Sequence, residues 1–119
     1  PSHKQSGITG AVVKASAGMV FMLPVVRIGN VNYTIDALKN NGFQVIALDN
    51  NHGINLNNFS PTGPVVFVLG NEGFGIRRTT LERADIKLRI PTNPRCESLN
   101  VSVASAIVFY SFYNYFKKK

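Results

Sequence analysis

The chain has 119 residues, enough for one domain around a single core and too few for two. Thirteen basic residues against six acids give a formal charge of +7, which favours a polyanionic partner. A lone cysteine, Cys96, excludes an internal disulfide and fits a reducing, cytoplasmic setting, and with only His3 and His52 beside it no metal-ligand spacing exists, so no metal is expected.

Taken in order, Ile8–Ala17 reads as a helix with Thr9 as its N-cap and Gly18 as its stop. Residues 11–24 lack the charged start and cleavage pattern of a signal peptide. Val25–Ile28 follows Pro24 as a short strand. Asn30 is a good N-cap for a helix that puts Val31, Ile35 and Leu38 on one face, and Gly42 ends it. Phe43–Leu48 is the next strand. Strand, helix, strand with short connections argues for a parallel βαβ arrangement. Asn50–Gly63 is polar and Asn-rich, and reads as a long, mobile loop.

Val65–Leu69 is an uninterrupted apolar run without period-2 alternation, as expected of a strand buried on both faces of a parallel sheet. It leads into a glycine-rich turn, Gly70 to Gly75, at the carboxyl end of the strand, where open α/β sheets bind their ligands. The glycines at 70, 73 and 75 do not follow the dinucleotide order, and the lysine of a phosphate loop is absent. Glu72 would repel a phosphate, so the turn suits a neutral or cationic ligand; a tight turn with a solvated acid is the plainer alternative. Ile86–Pro91 alternates as another short strand, and a loop leads on to Glu97–Ala104.

The last helix, about Ser98 to Phe116, is apolar on two sides. Leu99, Val103, Ala106, Tyr110 and Tyr113 form one flank, and Val101, Val108, Phe112 and Tyr115 another. Such a helix needs two packing partners: its own core and a second subunit. Polar residues and a Lys-rich end argue against a membrane span. From Ile76 onward nine basic residues face three acids. The arginines among them (77, 78, 83, 89 and 95) suit phosphate and base stacking, whereas Lys117–Lys119 also reads as a solubilising tail.

Two stretches carry a resemblance. LGNEGFGIR, followed by a strand, the pair Ile90-Pro91 and then ESLNVSVA, looks like the last two of the three signature motifs of the SpoU/TrmH branch of the SPOUT RNA methyltransferases. ITGAVVKASAGMVFMLPVVRIGN also resembles that family's middle portion. The resemblance implies a parallel α/β sheet flanked by helices, with a C-terminal trefoil knot, one of the rare exceptions to the rule against threading. It implies a homodimer that uses S-adenosylmethionine to methylate a ribose 2′-hydroxyl of ribosomal or transfer RNA.

By the same resemblance, Gly70, Ile90 and Leu99 fall where backbone atoms hold the cofactor, assisted by Leu69 and Asn71. Glu72, Ser98 and Asn100 match the polar, catalytic-side positions. Ser98 and Asn100 are expected to orient the substrate or an active-site side chain, and Glu72 to hold the loop or a basic partner. Each has a structural alternative: Ile90 and Leu99 as core, Ser98 as helix N-cap, Asn100 as a cap or subunit bridge, Glu72 as a solvated turn acid. The family's first motif, which carries the arginine assigned to activating the ribose hydroxyl, has no counterpart before Ile8. An N-terminally truncated single domain over residues 1–119 is therefore expected. Pro94 also stands where the family commonly has a glycine nearby, which implies a differently shaped knot loop. Two further readings stand beside the enzyme: a non-catalytic RNA-binding or dimerisation module that keeps the cofactor pocket, and a base-nitrogen methyltransferase.

Overall fold

The computed structural model describes residues 10–15, 17–18, 22–49, 52–70, 75–93, 95 and 99–117. Within them, β1 (Gln44–Leu48), β2 (Ile54–Asn55), β3 (Val65–Val68) and β4 (Ile86–Arg89) form one sheet in the order β2-β4-β1-β3, with every pairing parallel. Among the described residues there are also four α-helices: α1 (Gly10–Ala15), α2 (Val31–Asn40), α3 (Arg78–Arg83) and α4 (Val101–Lys117). This is the expected parallel sheet with flanking helices.

The strand buried on both faces is β1, not β3. Val45, Ile46 and Ala47 have no exposed surface. β3 lies at the edge of the sheet, and its four apolar residues are each half-buried. Composition alone does not separate the two, because the centre of a parallel sheet and its edge draw on the same apolar residues.

α4 packs on one face of the sheet. Val108 and Phe112 join Ile46, Leu56 and Leu88 in the buried core, with Phe67, Ile86 and Ile90 packed around them. Phe112 meets Phe67 edge-on, ring centroids 4.7 Å apart, and stacks against Phe59 at 6.1 Å. Each such side chain contributes about 1.5–3 kcal/mol by leaving water. The helix begins at Val101, with Asn100 as its cap: the Asn100 Oδ1 accepts from the Ser102 N–H at 2.8 Å. Ser98, the alternative cap, lies outside the described residues.

α2 covers the other face and starts where Asn30 predicts, with the Asn30 Oδ1 accepting from the Tyr33 N–H at 2.9 Å. Ile35 is its buried contact, and Gly42, at φ +88°, follows its end. Three polar links one turn apart clasp α2 to α3 and β4. Thr80 donates to the Asn32 side chain at 2.7 Å, Arg83 reaches Asp36 at 3.4 Å, and Lys39 reaches Asp85 at 3.4 Å. Asp85 in turn accepts from the Val45 N–H at 2.8 Å. α3 itself, six residues long and with no side-chain cap, carries no sequence signal of a helix.

Two further expectations fail. Val25–Ile28 forms no strand; Val25 and Val26 are exposed, and no described strand lies alongside to share backbone hydrogen bonds. The 50–63 segment is not a free loop in its described part. Ile54–Asn55 pairs with β4, a 3-10 turn follows over Leu56–Asn58, and Leu56 and Pro61 are buried. Gly53 makes this possible. A β-carbon there would stand 2.6 Å from the Lys87 carbonyl oxygen, and its φ of +131° suits glycine.

Candidate functional site

Because all strands are parallel, their carboxyl ends open on one edge of the sheet, the side where α/β folds place ligands. Ala47 is in register with Val68, and Leu48 with Leu88. Continuing those registers by one or two residues puts Gly70 and Ile90 on either side of the end of β1. Gly70 and Ile90 therefore follow strands, β3 and β4, that are not paired with each other. They flank β1, about 10 Å apart across two strand spacings. Asp49 occupies the intervening position; its N–H donates to the Leu88 carbonyl at 3.0 Å, so the β1–β4 ladder runs up to it.

Gly70 begins a turn that closes on itself. A β-carbon on Gly70 would lie 2.6 Å from the Gly75 carbonyl carbon and 2.8 Å from its α-carbon. The backbones of Gly70 and Gly75 therefore lie against each other, and α3, linked to α2 through Thr80 and Arg83, follows directly. Leu69, just before the turn, is 36% exposed. Ile90 packs against the core, so its structural role is real, and its backbone stands at the sheet edge.

Leu99 is half-buried and Asn100 exposed at the start of α4, at the far end of the loop that leaves Ile90. Besides its cap bond, Asn100 accepts from the Ala104 N–H through its carbonyl at 2.9 Å. The capping alternative for Asn100 is thus present in the structure. Asn71, Glu72 and Ser98 lie outside the described residues, as do Pro94 and Cys96.

The basic side chains divide by role. Arg83 is engaged with Asp36 and with the Thr79 carbonyl, which removes it from the set suited to nucleic acid. Arg78 pairs with Glu82 on the exposed face of α3 at 3.5 Å. Arg77 and Arg95 are exposed, and Arg89 is half-buried at the end of β4. Among the described residues no three His, Cys, Asp or Glu side chains gather as a metal set, and no helix is long and apolar enough to cross a membrane. A cleft of about 270 Å³ opens between the Leu56–Asn58 turn and α4, beside Phe59, Ser111 and Asn114. None of the expected cofactor residues lines it, so the strand ends are the better candidate.

The model of the SpoU rRNA methylase family matches residues 1–110. The chain belongs to that family. It is 38% identical over 108 residues to an uncharacterised tRNA/rRNA methyltransferase of Mycobacterium sp. strain KMS, a match that takes in 91% of this chain and 34% of the relative. The fold is similar to a crystal structure of an RNA 2′-O ribose methyltransferase, with a TM-score of 0.79, 27% identity, and 92% of this chain against 43% of that one. It is equally similar to an AdoMet-bound rRNA methyltransferase from Sinorhizobium meliloti, with a TM-score of 0.79, 29% identity, and 87% against 40% covered. This SpoU-family chain thus spans about a third of the length of the curated relative.

Proposed function

We propose that this SpoU-family chain is part of an S-adenosylmethionine-dependent methyltransferase acting on a ribose 2′-hydroxyl of rRNA or tRNA. The observation that carries the proposal is the pairing of the closed Gly70–Gly75 turn with the Ile90 bend on either side of β1. Gly70 fits a cofactor cradle because its backbone meets the returning chain with no side chain between. Backbone groups of Gly70, Ile90 and Leu99 would hold the cofactor, with Leu69 and Asn71 beside them. When bound, the cofactor supplies an electrophilic methyl group on a sulfonium.

Transfer to an alcohol is an in-line displacement, so the protein's part is alignment and removal of the hydroxyl proton. In this reading Asn100, which caps α4, would orient the acceptor together with Ser98, and Glu72 would fix the turn or a basic partner. The loops 70–75 and 90–100 form the trefoil knot in this reading. RNA is the partner that the net charge of +7 supports.

The chain pairs with a second copy through α4. Its buried flank, Val108 and Phe112, serves the core; the opposite flank leaves Tyr110 68% and Tyr113 61% exposed. We also infer that the catalytic domain extends upstream. Among the described residues β3 is paired on one side only, and the apolar run Met22–Val26 is exposed around Pro24, so further chain has both an edge and a surface to cover. Transfer of labelled methyl from S-adenosylmethionine to RNA by the intact protein, with the product mapped to a ribose, tests the assignment. Methyl found on a base nitrogen would replace the ribose reading. Vigorous transfer by residues 1–119 alone would contradict the upstream extension.

A further inference from the structure

We infer that Asp49 is a cofactor-positioning residue whose carboxylate accepts hydrogen bonds from the ribose hydroxyls of the bound nucleoside. The inference rests on the cofactor reading above and adds to it a side chain that the motifs do not contain.

Three observations converge on this residue. First, β1 is the middle strand of the three that end at the site, and extending the Ala47–Val68 and Leu48–Leu88 registers sets Asp49 level with Gly70 on one side and Arg89 on the other. Second, the bond from the Asp49 N–H to the Leu88 carbonyl fixes its backbone in the ladder. Third, alternation along β1 assigns its side chain to a definite face. Ile46 and Leu48 face the α4 core, so Asp49 follows Val45 and Ala47 on the α2 side. It is half-buried there, beyond the last fully buried residue of the strand.

The other described acids stand elsewhere: Asp36, Glu82 and Asp85 pair with Arg83, Arg78 and Lys39 around α2 and α3. Asp49 is therefore the described carboxylate at the carboxyl edge of the sheet. A nucleoside without phosphates offers few strong handles, and its vicinal hydroxyls are donors that one carboxylate can accept together. An acid at the end of the strand next to a glycine-turn strand is also how dinucleotide folds hold a ribose. Here β1 and β3 are neighbours in that relation.

The test is calorimetric binding of S-adenosylmethionine, S-adenosylhomocysteine and the 2′-deoxy and 3′-deoxy forms of the latter to the intact protein. Wild type should lose affinity for at least one deoxy form. Asp49→Ala should bind both natural ligands about ten- to a hundred-fold more weakly, as for lost hydrogen bonds to a charged acceptor. It should also no longer distinguish the deoxy forms. Asp49→Asn, with the same shape, should fall between. Equal affinities in wild type and both variants would overturn the role of Asp49 while leaving the cofactor reading intact. Weakening confined to S-adenosylmethionine would overturn the ribose contact, because the two natural ligands share their ribose. A folded wild type that binds neither natural ligand would remove the cofactor reading and this inference together.

Discussion

Gly70 and Gly75 approach so closely that a single added methyl on Gly70 would stand 2.6 Å from the Gly75 carbonyl carbon. Both partners are backbone, so neither yields as the tip of a long side chain would. Gly70→Ala is expected to open the turn, to cost about 1–3 kcal/mol as an overpacking change, and to weaken S-adenosylmethionine binding. Denaturant unfolding and calorimetry measure the two effects; an alanine variant equal to wild type in both would mean that the turn is not a built cradle.

The two sides of α4 should respond differently. Phe112 is 5% exposed among Phe59, Phe67 and Val108, so Phe112→Ala is expected to cost about 3–5 kcal/mol. Tyr110→Ala should leave the fold of one copy within about 0.5 kcal/mol but shift the protein toward monomer in sedimentation. A Tyr110→Ala protein that remains dimeric would send the subunit contact to another surface.

Asn100 combines a cap with a proposed active-site position. Asn100→Ala removes the acceptor for the Ser102 N–H and should cost about 1 kcal/mol. Asn100→Asp keeps an acceptor there and should retain stability. Methyl transfer is expected to fall in both variants, which separates orientation of the acceptor from capping. If activity simply tracked stability across the pair, Asn100 would be a cap alone.

The arginines divide by what they touch. Replacing Arg77 and Arg95 together by alanine should weaken RNA binding and lower the slope of log K against log salt by about 2, one unit per phosphate contact. Arg83→Ala should leave that slope unchanged and cost at most about 1 kcal/mol, since its pair with Asp36 is partly exposed. A changed slope for Arg83→Ala would return it to the RNA surface.

The helices with strong local signals were legible in the sequence: Asn30 and Gly42 bracket α2, and of the two flanks that the apolar pattern of α4 assigns to the core and to a second subunit, the Val108–Phe112 flank is the one in the core. The strands were legible as apolar runs but not in their rank, since β1 and β3 share a composition and only pairing reveals which is central. β2 is not legible in the sequence because two residues in an Asn-rich stretch carry no period; its place depends on Gly53 meeting the Lys87 backbone. The site residues Gly70 and Ile90 were found through motif resemblance, which does not say what stands between them. Asp49 emerges only from the strand order, a long-range property that no local window contains.

That strand order has a consequence for how the chain folds. β1 pairs with β3 and β4, and β2 with β4, so among the described residues no strand lies beside its neighbour in sequence. The described strands offer no hairpin as a starting nucleus, and each of their ladders requires closure of a long intervening segment before any rung is gained. During synthesis β2 waits until β4 has emerged from the ribosome, while β1 holds its apolar residues with β3 as sole strand partner, making that interval the vulnerable moment for aggregation.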